Sequence, residues 1–265
     1  MVTEDGRGAH HVQSLERGLA VIRAFGADTP ELTLSDVARA TGLTRAAARR
    51  FLLTLVDLGY VRTDGKYFAL TARVLELGYA YLSGQALPEL ALPHLERLSE
   101  QVGESSSVSV LDGTDVVYVS RVAVSRIMTV SITVGTRFPA HATSMGHVLL
   151  AGLDEAELDA YLAAATLDRL TSRTITTGTD LRAALARVRV QGWALVDQEL
   201  EEGLRSVAAP IRDRRGRVVA AVNVSSHASR TTLEAARRDL VPPLLAAAAR
   251  IEADLSMTPA AREHG

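Results

Sequence analysis

The stretch from Ser35 to Leu70 constrains this chain more than any other. It strings a short helix, a tight turn, a second helix and a hairpin together with few connecting residues. Ser35 is placed to cap a helix from Asp36 to Thr41, since its hydroxyl can accept from a backbone N–H two or three residues on. Gly42 suits the left-handed position that closes such a helix. Thr44 is a second N-cap, and a longer helix is expected to reach about Leu58. Ala48, Phe51, Leu52 and Leu55 fall at i, i+3, i+4 and i+7 and so face inward. Ala46, Arg49 and Arg50 then point outward, with Arg45 at the edge of that face.

Two short strands follow, Tyr60-Val61-Arg62 and Tyr67-Phe68-Ala69-Leu70. Asp64-Gly65 between them is a hairpin signal, because such a turn needs positive φ. Arg62 and Lys66 place charge at its tip. Between Arg39 and Lys66 six residues are basic and two acidic, in a chain whose net charge is −2. A DNA-binding face need only be basic locally. Short helix, turn, helix with a small cationic start, and basic hairpin together predict a winged helix-turn-helix. Its DNA-facing residues would be Ser35, Thr44, Arg45, Ala46, Arg49, Arg50, Arg62 and Lys66. Arginines on the second helix can reach phosphates or guanine edges, and the hairpin residues can reach phosphates. Ahead of this module a first helix is expected from Ser14 to about Ala27, burying Leu15, Leu19, Ile22 and Phe25.

The chain has 265 residues, enough for two domains, and 47% are apolar. It has no cysteine, which excludes disulfides, thiolate nucleophiles and Cys-based metal sites. No apolar run is long enough to span a membrane, and the polar start from Met1 to His11 lacks a secretory h-region. A cytoplasmic location is expected. No cofactor and no metal are expected. His141 and His147 stand six apart, not at the i, i+4 spacing of a helical metal pair.

Several segments resemble the isocitrate lyase regulator (IclR) family. They are Ser14-Leu15-Glu16-Arg17-Gly18-Leu19-Ala20-Val21-Ile22, Leu32-Thr33-Leu34-Ser35-Asp36-Val37-Ala38, and Gly42-Leu43 with the arginine pair before Phe51-Leu52. In the second half they are 135–146, 197–206 and 221–225. The resemblance covers about Ser14 to Ser256 and lies nearest the branch that regulates protocatechuate and β-ketoadipate catabolism. It implies an α+β protein with a winged helix-turn-helix at 13–71, a linker helix at 72–84 and a GAF- or profilin-like effector domain at 85–256. Residues 1–12 and 257–265 would be flexible tails. It also implies a homodimer or homotetramer on operator DNA, with no enzyme activity, controlled by a small carboxylate effector, an aromatic acid or a β-ketoadipate pathway metabolite.

In that second half, Pro88 and Pro93 flank the entry to a helix ending near Gly103. Strands are expected at 107–111, 116–122, 128–134, 193–196, 206–212 and 218–225, and helices at 144–152, 154–164, 179–192 and 231–255. By resemblance, effector contacts fall on Val130, Phe138, Ser144, Met145, Asp197, Ser206, Asn223 and Ser225. In a family member that binds a small oxoacid, the positions matching Ser144 and Met145 carry Gly and Ala, so that ligand does not transfer. Ser144 opens a helix whose N–H groups favour an anion. Asn223 and Ser225, two apart on a strand, share a face. Arg121, Arg137, His141 and Arg205 are candidates to pair with a carboxylate. The rival reading is a serine hydrolase using Ser144, Asp197 and His227, which follow the α/β-hydrolase order. Against it, Ala142 replaces the first glycine of the elbow, and Pro139 suits a central strand poorly.

Overall fold

The computed structural model describes residues 11–26, 29–78, 87–124 and 132–257. The chain divides into two compact units, Met1–Gly84 and Gln85–Gly265.

The first unit packs three helices, α1 (Gln13–Arg23), α2 (Leu34–Thr41) and α3 (Arg45–Asp57), with a small antiparallel sheet. Its strands are β1 (Glu31–Thr33), β2 (Val61–Thr63) and β3 (Tyr67–Leu70), in the order β1-β3-β2. Val37, Ala48, Leu52, Val61 and Phe68 form the core. The α3 face is as its spacing predicts. Ala48, Leu52 and Leu55 are buried, while Ala46, Arg49 and Arg50 are exposed. The first helix is rotated from expectation. Val21 and Phe25 are buried, but Leu15 and Leu19 are exposed, because Gly18 turns toward Phe51 of α3 and brings Val21 inward with it.

The cap of α2 also differs. Helix α2 begins at Leu34, and Thr33, not Ser35, is its N-cap. Thr33 and Asp36 form a reciprocal capping box, which satisfies two free backbone N–H groups where a lone Ser35 would satisfy one. Ser35 therefore sits in the first turn of α2. Gly42 closes that helix at φ 66°, and Thr44 caps α3 by accepting from Ala47 N at 3.2 Å. Beyond β3, a 3-10 turn at Ala72–Val74 leads into helical residues 75–78.

The second unit is built on a six-stranded antiparallel sheet. Its strands are β4 (Ser105–Asp112), β5 (Asp115–Val122), β6 (Arg137–Pro139), β7 (Ala194–Asp197), β8 (Leu204–Arg212) and β9 (Val218–His227). They run in the order β6-β5-β4-β9-β8-β7. Alternation along each strand sends residues to two different layers. Val207, Ala209, Ile211, Val222 and Val224 meet α4 (Leu87–Val102) and α8 (Val241–Met257). Ala208 and Ala221 meet the layer of α5 (Ser144–Ala151), α6 (Glu155–Ala164) and α7 (Gly178–Gln191).

Three expectations change here. Pro88 and Pro93 lie inside α4 rather than flanking it, and the helix runs through Pro93. The strand expected at 128–134 falls partly outside the described residues, and 132–134 are not strand. The third strand of that edge is instead Arg137–Pro139, which pairs with β5. Pro139 is tolerated because β6 is an edge strand. Finally, the closing helix enters through a π-helical stretch, Ala236–Leu240, just before Pro242 and Pro243. Two prolines remove two helical donors, and a widened turn accommodates the loss.

One irregularity sets the character of the sheet. The β4–β5 register shifts between Val108 and Ser109, so that Val108 pairs with Ser120 while Ser109 pairs with Tyr118. Val119 is the extra residue of a β-bulge. Without it, Tyr118 and Arg121, three apart, would face opposite layers. With it, Tyr118 packs into the α5 layer and Arg121 bonds Ser107 on that same face.

Candidate functional sites

In the first unit, the exposed start of α3 carries Thr44, Arg45, Ala46, Arg49 and Arg50, with no acidic residue in its first turn. Free N–H groups there and two arginines one turn on suit a polyanion. The hairpin is held by Asp64, whose Oδ1 accepts from Lys66 N (2.8 Å) and Tyr67 N (2.7 Å), with Gly65 at φ 97°. These bonds hold the Asp64 carboxyl below its usual range. Lys66, the chain's sole lysine, lies over the Tyr67 ring at 4.9 Å and is exposed. Arg62 is engaged differently. It points along the sheet to Glu31 of β1, at 3.1 Å.

In the second unit, a cavity opens between the start of α5, the end of β7 and the strand pair β8–β9. Ser144, Met145, Ser206, Asn223 and Ser225 line it, as the sequence predicts, together with Tyr118, Thr143, Val196, Leu200 and Leu204. It has room for about one water molecule as it stands. Its polar groups bond one another. Ser206 Oγ donates to Ser144 Oγ at 2.8 Å, and Asn223 Nδ2 to Ser225 Oγ at 3.0 Å. Thr143, not Ser144, caps α5 by accepting from Gly146 N at 2.9 Å. Gly146 is required there, since a Cβ would lie 1.9 Å from the Ala140 carbonyl oxygen.

Three predicted contacts lie elsewhere. Val130 falls outside the described residues. Phe138 does not line the cavity but packs edge-on against Tyr118, with centroids 5.8 Å apart. Asp197 is turned away by register. Val196 pairs with Ser206, so Val196 faces the cavity and Asp197, opposite Arg205, faces the other side of the sheet. Asp197 is bridged by Arg205 (2.6 Å) and Arg173.

The four candidates for a carboxylate partner separate cleanly. Arg137 is held by Asp112 (2.6 Å) and Asp115 (3.1 Å). Arg205 is held by Asp197, and His141 is buried with Nε2 3.1 Å from the Asp168 carbonyl. Of the three arginines, Arg121 alone has no carboxylate partner among the described residues. Its Nη1 donates to Ser107 Oγ at 3.1 Å, and its Nε is buried without a hydrogen bond. Burial lowers its pKa from the ordinary guanidinium value. Asn223 Oδ1 is a second buried atom without a partner. Both residues stand on one cross-strand row, Asn223–Ser107–Arg121.

Residues 14–65 match the IclR helix-turn-helix domain, and residues 79–253 match the C-terminal domain of the bacterial transcriptional regulator IclR. The chain belongs to the IclR family. This member is accordingly a DNA-binding transcriptional regulator. It is 47% identical over 235 residues to the Pca regulon regulatory protein of Pseudomonas putida, covering 88% of this chain and 81% of that one. A transcriptional regulator from Rhodococcus sp. RHA1 is 63% identical, covers 92% of this chain and 98% of its own, and superposes with a TM-score of 0.82. An IclR homolog from Microbacterium hydrocarbonoxydans, solved with 4-hydroxybenzoate, is 29% identical, covers 91% and 98%, and gives a TM-score of 0.80.

The hydrolase constellation does not assemble in this IclR member. Ser144 bonds Ser206, Asp197 bonds two arginines, and His227 Nδ1 bonds Ser229 Oγ at 2.7 Å. Ser144 follows a 3-10 turn, Ala140–Ala142, rather than a buried strand. Among the described residues no helix is long and apolar enough to cross a membrane.

Proposed function

We propose that this regulator's operator binding is controlled by a small aromatic carboxylate carrying a hydroxyl group, bound in the α5–β8–β9 cavity of the second unit. The observation that carries this reading is the pair of unpartnered buried atoms on one row. Arg121 Nε is a donor awaiting an acceptor, and Asn223 Oδ1 is an acceptor awaiting a donor. Buried polar atoms left unpaired are costly, so a ligand that supplies both partners is favoured. Two strand spacings separate these residues, about 10 Å at Cα, the scale of a single aromatic ring with substituents at both ends. The carboxylate goes to Arg121, which stands on the same sheet face but beyond the residues that line the cavity, so the opened site must extend along the row to it, and the hydroxyl goes to Asn223. Tyr118 and Met145 supply apolar walls, and the start of α5 adds N–H donors. The bound 4-hydroxybenzoate of the Microbacterium homolog supports this ligand class. The cavity must widen to admit a ring, and Met145 is the side chain best suited to move.

Binding DNA falls to Arg45, Arg49 and Arg50 on α3, with Ser35, Thr44 and Ala46 beside them, and to Lys66 and Arg62 on the hairpin. We take 13–71 as the DNA-binding domain, 72–84 as the linker and 85–256 as the effector domain. The active species is a homo-oligomer. Val12, Leu15 and Leu19 line one exposed face of α1, and Leu75 and Leu77 are exposed beyond β3, which supports burial against a second copy. The test is a calorimetric titration of the full chain with 4-hydroxybenzoate, benzoate and a β-ketoadipate-type product. The reading expects 4-hydroxybenzoate to bind at least tenfold tighter than benzoate. Equal affinities would overturn the hydroxyl assignment.

A further inference from the structure

Leu200 reaches the cavity from loop 198–203, which connects β7 to β8. The loop is tightly tied. Thr171 Oγ1 donates to the Gln198 carbonyl at 2.7 Å, and Thr174 Oγ1 to the Glu199 carbonyl at 2.6 Å. Gln198 Oε1 accepts from Gly203 N at 3.0 Å. Gln198 is also the only non-glycine with positive φ among the described residues, at 64°. A glutamine stays in that region only when its surroundings hold it there.

Next to it, the Glu199 side chain turns into the protein. Oε2 is buried without a hydrogen bond, 3.9 Å from His147 Nε2 on α5. That distance is beyond hydrogen-bond reach. His147 cannot act as a cation for it. Burial pushes the imidazole down to about 4, and its Nε2 is 2.7 Å from the His141 carbonyl, so that nitrogen carries the proton and donates there. The other groups that act on Glu199 are the Asp197 charge at the end of β7, the Arg187 charge on α7 and the Ile175 N–H from the segment before α7.

We infer that Glu199 is a protonation-dependent positioning residue: as a neutral acid it keeps loop 198–203 seated against α5, and its ionisation releases the loop that forms one wall of the cavity. Burial raises the Glu199 carboxyl to about 7, the Ile175 N–H and the Arg187 charge hold it down, and the Asp197 charge adds to the rise. An acid whose folded pKa is raised contributes stability that is complete below its unfolded value, about 4.3, and is lost as pH rises through 7. Loop release relieves that loss without unfolding the unit.

The effect on effector affinity rests on the effector-site reading above, but the loop itself can be tested without ligand. Hydrogen exchange of loop 198–203 is compared in the full chain and in Glu199→Gln at pH 5.5 and pH 8, each pair at the same pH so that intrinsic exchange cancels. The wild-type exchange relative to the variant should rise by at least about tenfold between pH 5.5 and pH 8, because opening gains about a factor of ten per pH unit between the open-loop value of about 4.3 and the seated value of about 7. An unchanged ratio at the two pH values overturns the inference. Should the variant fold poorly, the wild type alone suffices. Loop 198–203 must then gain exchange between pH 5.5 and 8 relative to the hairpin turn 213–216, and parallel behaviour of the two segments overturns it. A loop that behaves as stated while 4-hydroxybenzoate does not bind would leave this inference standing and remove the effector reading.

Discussion

Arg121 and Asn223 stand on one row of the C-terminal sheet, Arg121 bonded across it to Ser107 and Asn223 bonded along its own strand to Ser225, each with one polar atom left over. Ser107 sits between them, accepting from Arg121 at 3.1 Å and paired in register with Asn223. The arrangement depends on the bulge at Val119, which turns Arg121 onto the cavity face.

A half-buried guanidinium whose Nε is buried without a partner is a cost in the empty protein and a gain in the filled one. Arg121→Met should therefore leave the apo melting temperature unchanged or raise it. The same change should weaken 4-hydroxybenzoate binding by about 10- to 100-fold, the value of a charge-assisted hydrogen bond at 1.5–3 kcal/mol. Thermal denaturation and calorimetry on the same samples check both halves. A large fall in apo stability with intact binding would assign Arg121 a structural role.

The outward face of α3 makes a second prediction. Arg49→Ala and Arg50→Ala should each weaken operator binding at fixed salt while leaving the melting temperature within about 4 °C, since surface substitutions of this kind lie within about ±0.5 kcal/mol. Fluorescence anisotropy with operator DNA reads the first and thermal denaturation the second. Unchanged binding for both would mean that another face of α3 meets the DNA.

The hairpin residues should differ from each other. Lys66 is exposed and makes no salt bridge among the described residues, so Lys66→Ala should weaken specific and random DNA alike and reduce the salt slope by about one. Arg62 is already paired with Glu31, and releasing that pair offsets part of any phosphate contact. Arg62→Ala should therefore cost less than Lys66→Ala. Titrations across a salt series rank the two, and the reverse order would place the Arg62 end of the hairpin nearer the backbone.

Gly146 tests the seat of α5. Its Cα lies so close to the 140–142 turn that Gly146→Ala forces backbone apart. Overpacking of this kind costs about 1–3 kcal/mol or more, and the loss should appear in thermal denaturation. A variant as stable as the wild type would mean that the 140–142 turn yields freely.

Much of this was legible in the sequence because local chemistry decides it. Gly42 closing one helix, Thr44 opening the next, the α3 face and the Asp64-Gly65 turn each follow from residues within a few positions of one another. What was not legible depended on partners far along the chain. The exposure of Leu15 and Leu19 follows from how α1 meets Phe51. Ser35 stands where a single cap would, but Thr33 gains a second bond through Asp36. The resemblance puts Asp197 with Ser206 at the effector site, whereas the β7–β8 register sends it to the opposite face. Arg121 appeared among four carboxylate candidates, and only the pairing of the other three singles it out. No alternation pattern reveals the Val119 bulge that turns Arg121 inward, since a bulge is a property of two strands together.

The central claim is that a ligand in this cavity governs DNA binding, and linkage makes it measurable. A ligand that changes operator affinity must differ in its own affinity for the free and DNA-bound forms. The direct measurement is operator affinity of the full chain with and without saturating 4-hydroxybenzoate, for the wild type and for Asn223→Ala. The account predicts that ligand shifts the wild-type operator affinity by about 5-fold or more. It also predicts that Asn223→Ala binds operator normally without ligand and shows little or no shift with it at the same concentration. An Asn223→Ala protein that responds to the ligand as the wild type does would contradict it.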